Sequence, residues 1–138
     1  MTWVRVDDLF GDDPRVATVG AAGAGLVILL MVYSNKVLAD GFVSDAIVRQ
    51  KSIGLVDAED VLALTVRVGL LRKTERDGLS GYQIAEDLMA RQPTRADVLA
   101  KRDEAKARKD RWRDQHPRIR LATGGTPTER KRNARGTE

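Results

Sequence analysis

Residues 16–35 form a run of twenty residues without a charged side chain, and this run constrains the fold more than any other feature of the sequence. A helix of this length can cross the hydrocarbon core of a bilayer. Only residues 26–32 are continuously large and apolar, however, and the Ala, Gly, Thr, Ser and Asn residues around them contribute little to membrane insertion. We therefore predict a helix that is buried on all faces at the centre of a small domain. A single-pass membrane protein that spans the bilayer through residues 16–35 is kept as a distant alternative.

The charged residues divide the chain into an acidic part and a basic part. Residues 1–90 carry nine Lys or Arg and thirteen Asp or Glu, for a net charge of −4, whereas residues 91–138 carry fifteen and seven, for a net charge of +8. A basic segment of this kind usually binds a polyanion. Beyond residue 90 the large apolar side chains are too few to form a core, namely Val98, Leu99, Trp112, Ile119 and Leu121. We predict a folded domain over residues 1–90, a basic helix over residues 91–116 and a disordered basic tail over residues 117–138.

The residue types that most often carry catalysis or bind metals are scarce. The chain has no cysteine, which excludes disulfides and thiolate metal sites, and its one histidine, His116, is predicted to be solvated in the basic segment. Neighbouring aspartates at positions 7–8 and 12–13 do not by themselves form a metal site. Gly20, Gly23 and Gly25 are not followed by the Gly-Lys-Ser/Thr of a phosphate-binding loop. We predict that the protein is not an enzyme and uses no metal or cofactor.

Capping residues predict where the helices begin and end. The long helix is expected to start at residue 17 or 20 and to end at residue 38 or 39, because Gly41 suits the left-handed position after a helix. Three further helices are predicted over about residues 45–52, 58–68 and 95–115, each after a good N-cap residue: Ser44, Asp57 and Thr94. Asp60 and Asp97 stand three positions after the last two caps, which is the spacing of a capping box.

Short strands complete the pattern. Residues 3–6 are predicted to be extended, and Phe42-Val43 to form one short strand. Residues 70–74 and 82–85 have the pattern of a β-hairpin, with a turn-rich stretch between them that includes Asp77-Gly78. Long helix, short strand, two helices and hairpin follow one another in the order of a winged helix-turn-helix domain. The predicted fold class is mainly α with a small β-hairpin: a winged helix-turn-helix head followed by a long basic helix and a disordered C-terminal tail.

A series of short motifs carries a family resemblance. In chain order the motifs are WVRVDDLF at residues 3–10, DPRV at 13–16, YSN at 33–35 with Leu38, DGFV at 40–43, GLL at 69–71, GYQI at 81–84, and QPTRADV at 92–98 with Arg102. Together they resemble the small helix-turn-helix proteins of actinobacteria and their phages, over about residues 2–113. The resemblance implies a winged-helix domain that binds DNA in phage replication or gene control. It also implies that the apolar run is the core helix of a soluble protein.

The predicted third helix has the wrong charge for reading DNA. Winged helices commonly place the second helix of the turn motif in the major groove. Here that helix begins with Asp57, Glu59 and Asp60, which repel phosphates and accept hydrogen bonds only from the amino groups of cytosine or adenine. We interpret these carboxylates as capping and solvent-facing groups, or, in the alternative hypothesis, as a surface that binds a basic partner protein.

Three groups of basic residues are better candidates for phosphate contacts. Arg49 and Lys51 lie on the predicted second helix, and Arg72, Lys73 and Arg76 lie on the hairpin. The remaining candidates crowd the basic helix, at Lys101, Arg102, Lys106, Arg108, Lys109, Arg111 and Arg113. Trp112 lies among them and is predicted either to stack on a base or to pack against the head. The alternative for each group is ordinary surface charge.

Two hypotheses of function follow. The leading one is a non-enzymatic DNA-binding protein of a phage or mobile element, acting in replication or transcription control in the cytoplasm of a bacterial host cell. Its partner would be double-stranded DNA, gripped mainly by the basic segment, and a homodimer would suit a palindromic site. The alternative is an interaction module whose acidic third helix binds a host or replisome protein.

Overall fold

The computed structural model describes residues 3–117 of the chain. This part is mainly helical and includes a small three-stranded antiparallel sheet, which confirms the coarse fold class. After a short 3-10 helix at Asp8–Asp12, the elements are α1 (Pro14–Val37), β1 (Phe42–Ser44), α2 (Asp45–Lys51), α3 (Ala58–Arg67), β2 (Leu71–Arg76), β3 (Leu79–Ile84), α4 (Glu86–Met89) and α5 (Arg95–Gln115). The predicted order of elements is observed, with the 3-10 helix and α4 added to it.

Helix α1 begins three residues before the earliest predicted start. The side chain of Asp13 accepts a hydrogen bond from the backbone N–H of Arg15 at 2.8 Å, and Pro14 occupies the first helical position, where its missing N–H costs nothing. Gly20 has a φ of 67° and interrupts the helix near its beginning. At the other end Leu38 adopts the left-handed conformation and donates its N–H to the carbonyl of Ser34.

One side of α1 forms the centre of the core. Its residues Leu26, Val27, Leu30 and Met31 are buried, and they pack with buried side chains from the other elements: Val43, Val48, Leu70, Leu71 and Ile84. Burying one side chain of this size stabilises a fold by about 1.5–3 kcal/mol. The chain therefore uses the apolar run as its main packing surface.

The opposite side of α1 is not covered. Within residues 3–117, α1 is the one helix that is long and apolar enough to cross a membrane, by length and composition only. Only 39% of its most apolar 18-residue window is buried within the protein. The prediction of a helix buried on all faces is therefore wrong for the described part of the chain, because Leu29 and Val32 on the outer side remain exposed there.

The hairpin closes through a two-residue turn at Asp77-Gly78, which is shorter than the turn-rich stretch predicted between residues 74 and 82. Asp77 and Gly78 both have positive φ, at 52° and 78°, which is the geometry of a type I′ turn. The strands are longer at the turn end than predicted, because the polar residues there pair in register up to Arg76 with Leu79. The sheet has the order β1-β3-β2, so β1 pairs with β3 and makes the predicted hairpin part of a three-stranded sheet.

The two predicted capping boxes have different outcomes. Thr94 and Asp97 bond reciprocally: the Thr94 hydroxyl accepts from the backbone N–H of Asp97 at 3.1 Å, and the Asp97 carboxylate accepts from the backbone N–H of Thr94 at 3.2 Å. The box predicted at Asp57 and Asp60 is wrong, because Asp57 takes a left-handed conformation, φ 52°, and its side chain makes no capping bond. Ser44 occupies the N-cap position of α2, also without a side-chain bond.

Gln92 fastens the N-terminal segment to the head. Its side chain accepts from the backbone N–H of Arg5 at 3.0 Å and donates to the carbonyl of Arg5 at 2.6 Å. Asn35 on α1 donates to the same Gln92 carbonyl oxygen at 3.0 Å. The predicted extended segment is thus held by side chains rather than by a strand partner, and the first compact unit extends to Val98, which is buried.

The second unit begins at Leu99 and contains the rest of α5. Every residue from 99 to 117 is exposed, so this stretch is a helix without a core of its own. It ends at Gln115, directly before His116-Pro117. The prediction of a disordered tail falls on residues 117–138, of which 118–138 lie outside the described residues.

Candidate nucleic-acid interface

Lys73, one of the predicted phosphate ligands, already contacts other residues of the head. Its ammonium forms an ion pair with Asp45 at the start of α2, and it lies 4.4 Å from the centre of the Tyr82 ring. The hydrogen bond between the two side chains raises the pKa of Lys73 above its usual value and lowers the pKa of Asp45. Lys73 therefore links β2 to α2, and it would have to give up Asp45 to bind a phosphate.

Arg76 is also engaged, at the turn end of the hairpin. Its guanidinium donates to the carbonyl of Ala39 at 2.6 Å and to the side-chain oxygen of Gln83 at 3.4 Å. It lies 5.1 Å from the centre of the Phe42 ring, within the range of a cation–π contact. The contacts with Ala39 and Phe42 tie the hairpin to the loop after α1 and to β1, whereas Gln83 lies on the hairpin itself.

The other three predicted phosphate ligands of the head have fewer contacts than Lys73 and Arg76. Arg72 is exposed and borders a groove of about 540 Å³ beside α4, and no ion pair forms at it within the described part of the chain. Arg49 is exposed on α2, and the Lys51 ammonium lies 6.0 Å from the centre of the Tyr33 ring. Of the five predicted head ligands, Arg49 and Arg72 could meet a phosphate without breaking a contact.

An ion-pair cluster that the sequence did not indicate lies beside the same groove. The Arg15 guanidinium bonds Asp13 at 2.7 Å and Asp87 at 2.5 Å, joining the start of α1 to α4. These bonds lower the pKa of both carboxyls and raise the pKa of Arg15 further above its ordinary value. Arg15 and Asp87 are 72 residues apart, so no local spacing could have revealed that Asp87 joins Asp13 at this guanidinium.

The start of α3 presents carboxylates and apolar side chains to solvent. Asp57, Glu59 and Asp60 are all exposed, as their interpretation as solvent-facing groups requires. Ile53 and Val56, in the turn between α2 and α3, are each 81% exposed. The surface in front of α3 therefore combines negative charge with two uncovered apolar side chains, a combination that suits a basic, partly apolar partner better than a phosphate backbone.

Between residues 99 and 115, one face of α5 carries four cations and no carboxylate. Arg102, Lys106, Lys109 and Arg113 follow a 4-3-4 spacing, and at 3.6 residues per turn they fall within about 60° around the helix axis over a length of about 16 Å. All four are exposed. The 4-3-4 spacing is visible in the sequence, so the angular distribution of these charges was predictable from it, unlike their exposure. We call these four residues the basic stripe.

Carboxylates and the other cations occupy the remaining faces of α5. Asp103, Asp110 and Asp114 lie on a separate side, and of the four stripe residues only Arg113 has an ion pair in the described chain, to Asp110 at 3.7 Å. The three other predicted ligands of this helix lie off the stripe, at Lys101, Arg108 and Arg111. The charges of α5 are thus segregated at the basic stripe, whereas on the opposite side Glu104 lies among Lys101, Arg108 and Arg111.

Trp112 has a ring contact within α5. It stacks on His116 with ring centres 4.7 Å apart, and a ring nitrogen of His116 lies 2.8 Å from the carbonyl oxygen of Trp112. His116 is exposed as predicted, but it is stacked rather than simply solvated. With 49% of its surface exposed, Trp112 keeps one ring face for a partner.

Comparison with protein-family models, with curated proteins and with solved structures gives no match. The resemblance to small helix-turn-helix proteins thus stays a prediction that rests on short motifs. Among residues 3–117, no group of three or more His, Asp or Glu side chains is placed to hold a metal ion.

Proposed function

We propose that the protein is a non-enzymatic DNA-binding protein with a winged helix-turn-helix head, from a phage or mobile element, acting in the cytoplasm of a bacterial host cell. The order of the elements supports the head assignment, since a helix pair is followed by a hairpin that pairs with a strand placed before the helices. In this assignment α2 and α3 form the helix-turn-helix, and β2 and β3 form the wing.

The observation that carries the proposal is the basic stripe. The phosphates of duplex DNA form a dense row of negative charge along each strand, about one charge per 3.4 Å of duplex axis, and a stripe of about 16 Å lies against a short part of that row. Four exposed cations without an intervening carboxylate match that row better than the head does, because Lys73 and Arg76 are already engaged. The stripe would provide affinity without sequence preference.

The test compares two variants of the full chain with the same charge. The first replaces three stripe residues, Arg102, Lys106 and Lys109, by Gln; the matched control replaces three cations off the stripe, Lys101, Arg108 and Arg111, by Gln. Binding to a random-sequence duplex is measured by fluorescence anisotropy over a range of salt concentrations. If four phosphates are neutralised, the log–log salt slope of the unmodified protein is about −3.6.

The magnitude of the salt slope is expected to fall by about 2.7 in the stripe variant, since each lost phosphate contact removes about 0.9. In the control variant most of the slope should remain. Equal losses in the two variants would mean that only total charge matters. Full binding by the stripe variant would refute the proposal.

A second function is favoured by Ile53 and Val56, which a DNA-only role leaves unexplained. Here the apolar pair and the carboxylates of α3 bind a basic host or replisome protein. Changing both residues to Ser should remove a stoichiometric partner that survives nuclease treatment of the lysate. Leu79→Ser, at an exposed apolar residue of the hairpin, is the control and should keep the partner.

A further inference from the structure

Helix α1 is apolar around its whole circumference but is covered on only one side. On the outer side Ala22, Gly25, Leu29 and Val32 follow a 3-4-3 spacing and so share one stripe along the helix. Leu29 is 48% and Val32 47% exposed. Helices that are hydrophobic on all sides are normally buried on all sides. Among residues 3–117, the outer side of α1 is therefore left without a covering element.

The side chains of this outer stripe are small near the start of α1, at Ala22 and Gly25, and large further along it, at Leu29 and Val32. Gly25 has open space around it, since a Cβ atom added there would meet nothing within 4 Å. Leu29 and Val32, one and two turns further on, project past the surface. The outer stripe of one α1 therefore fits the outer stripe of a second α1 that runs antiparallel to it, because each large side chain then faces a small residue.

The register of that fit is fixed by the spacing. If two α1 helices pack antiparallel about a two-fold axis level with residue 27, Gly25 of one copy faces Leu29 of the other, and Ala22 faces Val32. A parallel pair would instead set Leu29 against Leu29 and leave the two Gly25 positions empty. The antiparallel pair is isologous and therefore closes as a dimer.

The charges along α1 agree with a second copy as the partner. No charged residue occurs between positions 16 and 35, so nothing in the contact has to be desolvated or repels its symmetry mate. Lys36 falls at the far ends, where the two copies of this residue would be about 27 Å apart by the helical rise. That separation is several times the Debye length of about 8 Å at physiological salt.

A membrane is a poorer partner for this side. Insertion of α1 into lipid would withdraw Leu26 and Leu30 from the core, where they are fully buried. It would also break the hydrogen bond that the Ser34 hydroxyl accepts from the backbone N–H of Gly41 at 2.6 Å. A second copy covers the outer side and leaves these contacts in place.

We propose that the protein forms a symmetric homodimer through the outer side of α1, with the two helices antiparallel and Gly25 of each copy against Leu29 of the other. Ala22 and Val32 complete the contact. The dimer does not depend on DNA binding, and its test needs no nucleic acid.

The first test is sedimentation of the full chain, unmodified and with Leu29→Glu. The unmodified protein should sediment as a dimer. Leu29→Glu places a carboxylate on each side of the two-fold axis without an ionic partner and should weaken the dimer about 100-fold or more. Leu79→Glu, the same change at an exposed leucine of the hairpin, is the control and should leave the dimer intact. Circular dichroism checks that both variants fold.

A size exchange tests the register itself. Gly25→Leu should abolish the dimer while raising the melting temperature of the single chain, because it replaces a helix-interior glycine that has open space around it. Leu29→Ala should weaken the dimer by leaving a cavity. The double variant Gly25→Leu/Leu29→Ala restores a large residue opposite a small one and should regain at least about tenfold of the lost affinity.

Three results would overturn the proposal. One is an unmodified protein that is monomeric at every concentration, and another is a dimer that Leu29→Glu does not weaken. The third is a double variant that binds no better than Gly25→Leu alone. Flotation with vesicles of phosphatidylcholine and phosphatidylglycerol identifies the competing partner: a monomer that floats, and that Leu29→Glu releases, assigns the outer side of α1 to lipid instead.

Discussion

At the scale of a residue, Gly81 shows how tightly the outer face of the sheet is packed. A Cβ atom at this position would lie 2.8 Å from Cζ of Phe42 and 2.9 Å from the Cα atom of Ser44. The ring that occupies this space is in turn covered by the Arg76 guanidinium. The added Cβ atom would also overlap the carbonyl oxygen of Val43, so the glycine is required by the backbone of β1 together with the Phe42 ring, and not by its own backbone conformation.

We expect Gly81→Ala to lower the free energy of unfolding by about 1–3 kcal/mol, the usual cost of overfilling a packed site. Chemical denaturation of the full chain measures the change. Gly11→Ala is the matched control, because a Cβ atom at Gly11 would meet nothing within 4 Å, and it should change the free energy by less than about 0.5 kcal/mol. Equal effects in the two variants would contradict the packing explanation.

For the hairpin cations Lys73 and Arg76, the sequence predicts the position of each residue but not its binding partner. That Lys73 and Arg76 lie on a hairpin was predictable from local pattern. Their partners were not, since Asp45 is 28 residues and Ala39 is 37 residues away along the chain. A surface cation that has found a distant partner looks the same in sequence as one that is free to bind a phosphate.

At the scale of an element, the helices were easier to predict than the strand ends. The capping box of α5 and the Asp77-Gly78 turn use residues that act on the backbone within a few positions, so their spacing predicts them. The hairpin strands were predicted too short, because polar residues such as Glu75 and Ser80 resemble a turn although they pair across the strands. The uncovered side of α1 was missed because hydrophobicity does not tell how many neighbours a helix will have.

Helix α5 should depend on its cap more than the core helices do. Beyond Val98 no buried side chain supports it, so local terms decide whether it forms. Thr94→Ala is expected to cost about 1 kcal/mol of helix stability and to reduce the far-ultraviolet circular dichroism of the full chain. Thr94→Ser keeps the hydroxyl that bonds the backbone N–H of Asp97 and should preserve the signal. No loss in the alanine variant would show that the cap is dispensable.

At the scale of the whole molecule, the head should be sensitive to acid through Arg15. Because Asp13 and Asp87 bond this residue, their pKa values in the folded chain lie below the ordinary value of 3.8. A carboxyl whose pKa is lowered by folding stabilises the fold fully above its unfolded pKa and loses that contribution as the pH falls through the folded one. The stabilisation is thus complete at neutral pH, starts to fall as the pH approaches 3.8 and is lost as the pH passes through the folded pKa values of Asp13 and Asp87.

Replacing Arg15 by Gln should therefore lower stability at pH 7 and leave it nearly unchanged at the acidic end. Urea unfolding of both proteins at a series of pH values measures the difference, which should narrow as the pH drops below 3.8. Arg67→Gln, at an exposed cation of α3, serves as the control and should show no such convergence. A difference independent of pH would mean that Arg15 acts through packing alone.

The interruption at Gly20 changes what the long apolar run can be. It leaves an unbroken helix only from residue 21 to residue 37, a rod of about 26 Å at 1.5 Å per residue. The hydrocarbon core of a typical bilayer is about 30 Å thick, so this unbroken helix is shorter than the hydrocarbon core that it would have to cross. The apolar run qualifies as a membrane span by its composition. Because Gly20 has a positive φ and interrupts the helix, the continuous helical part is short, and its length suits packing between proteins better than crossing a bilayer.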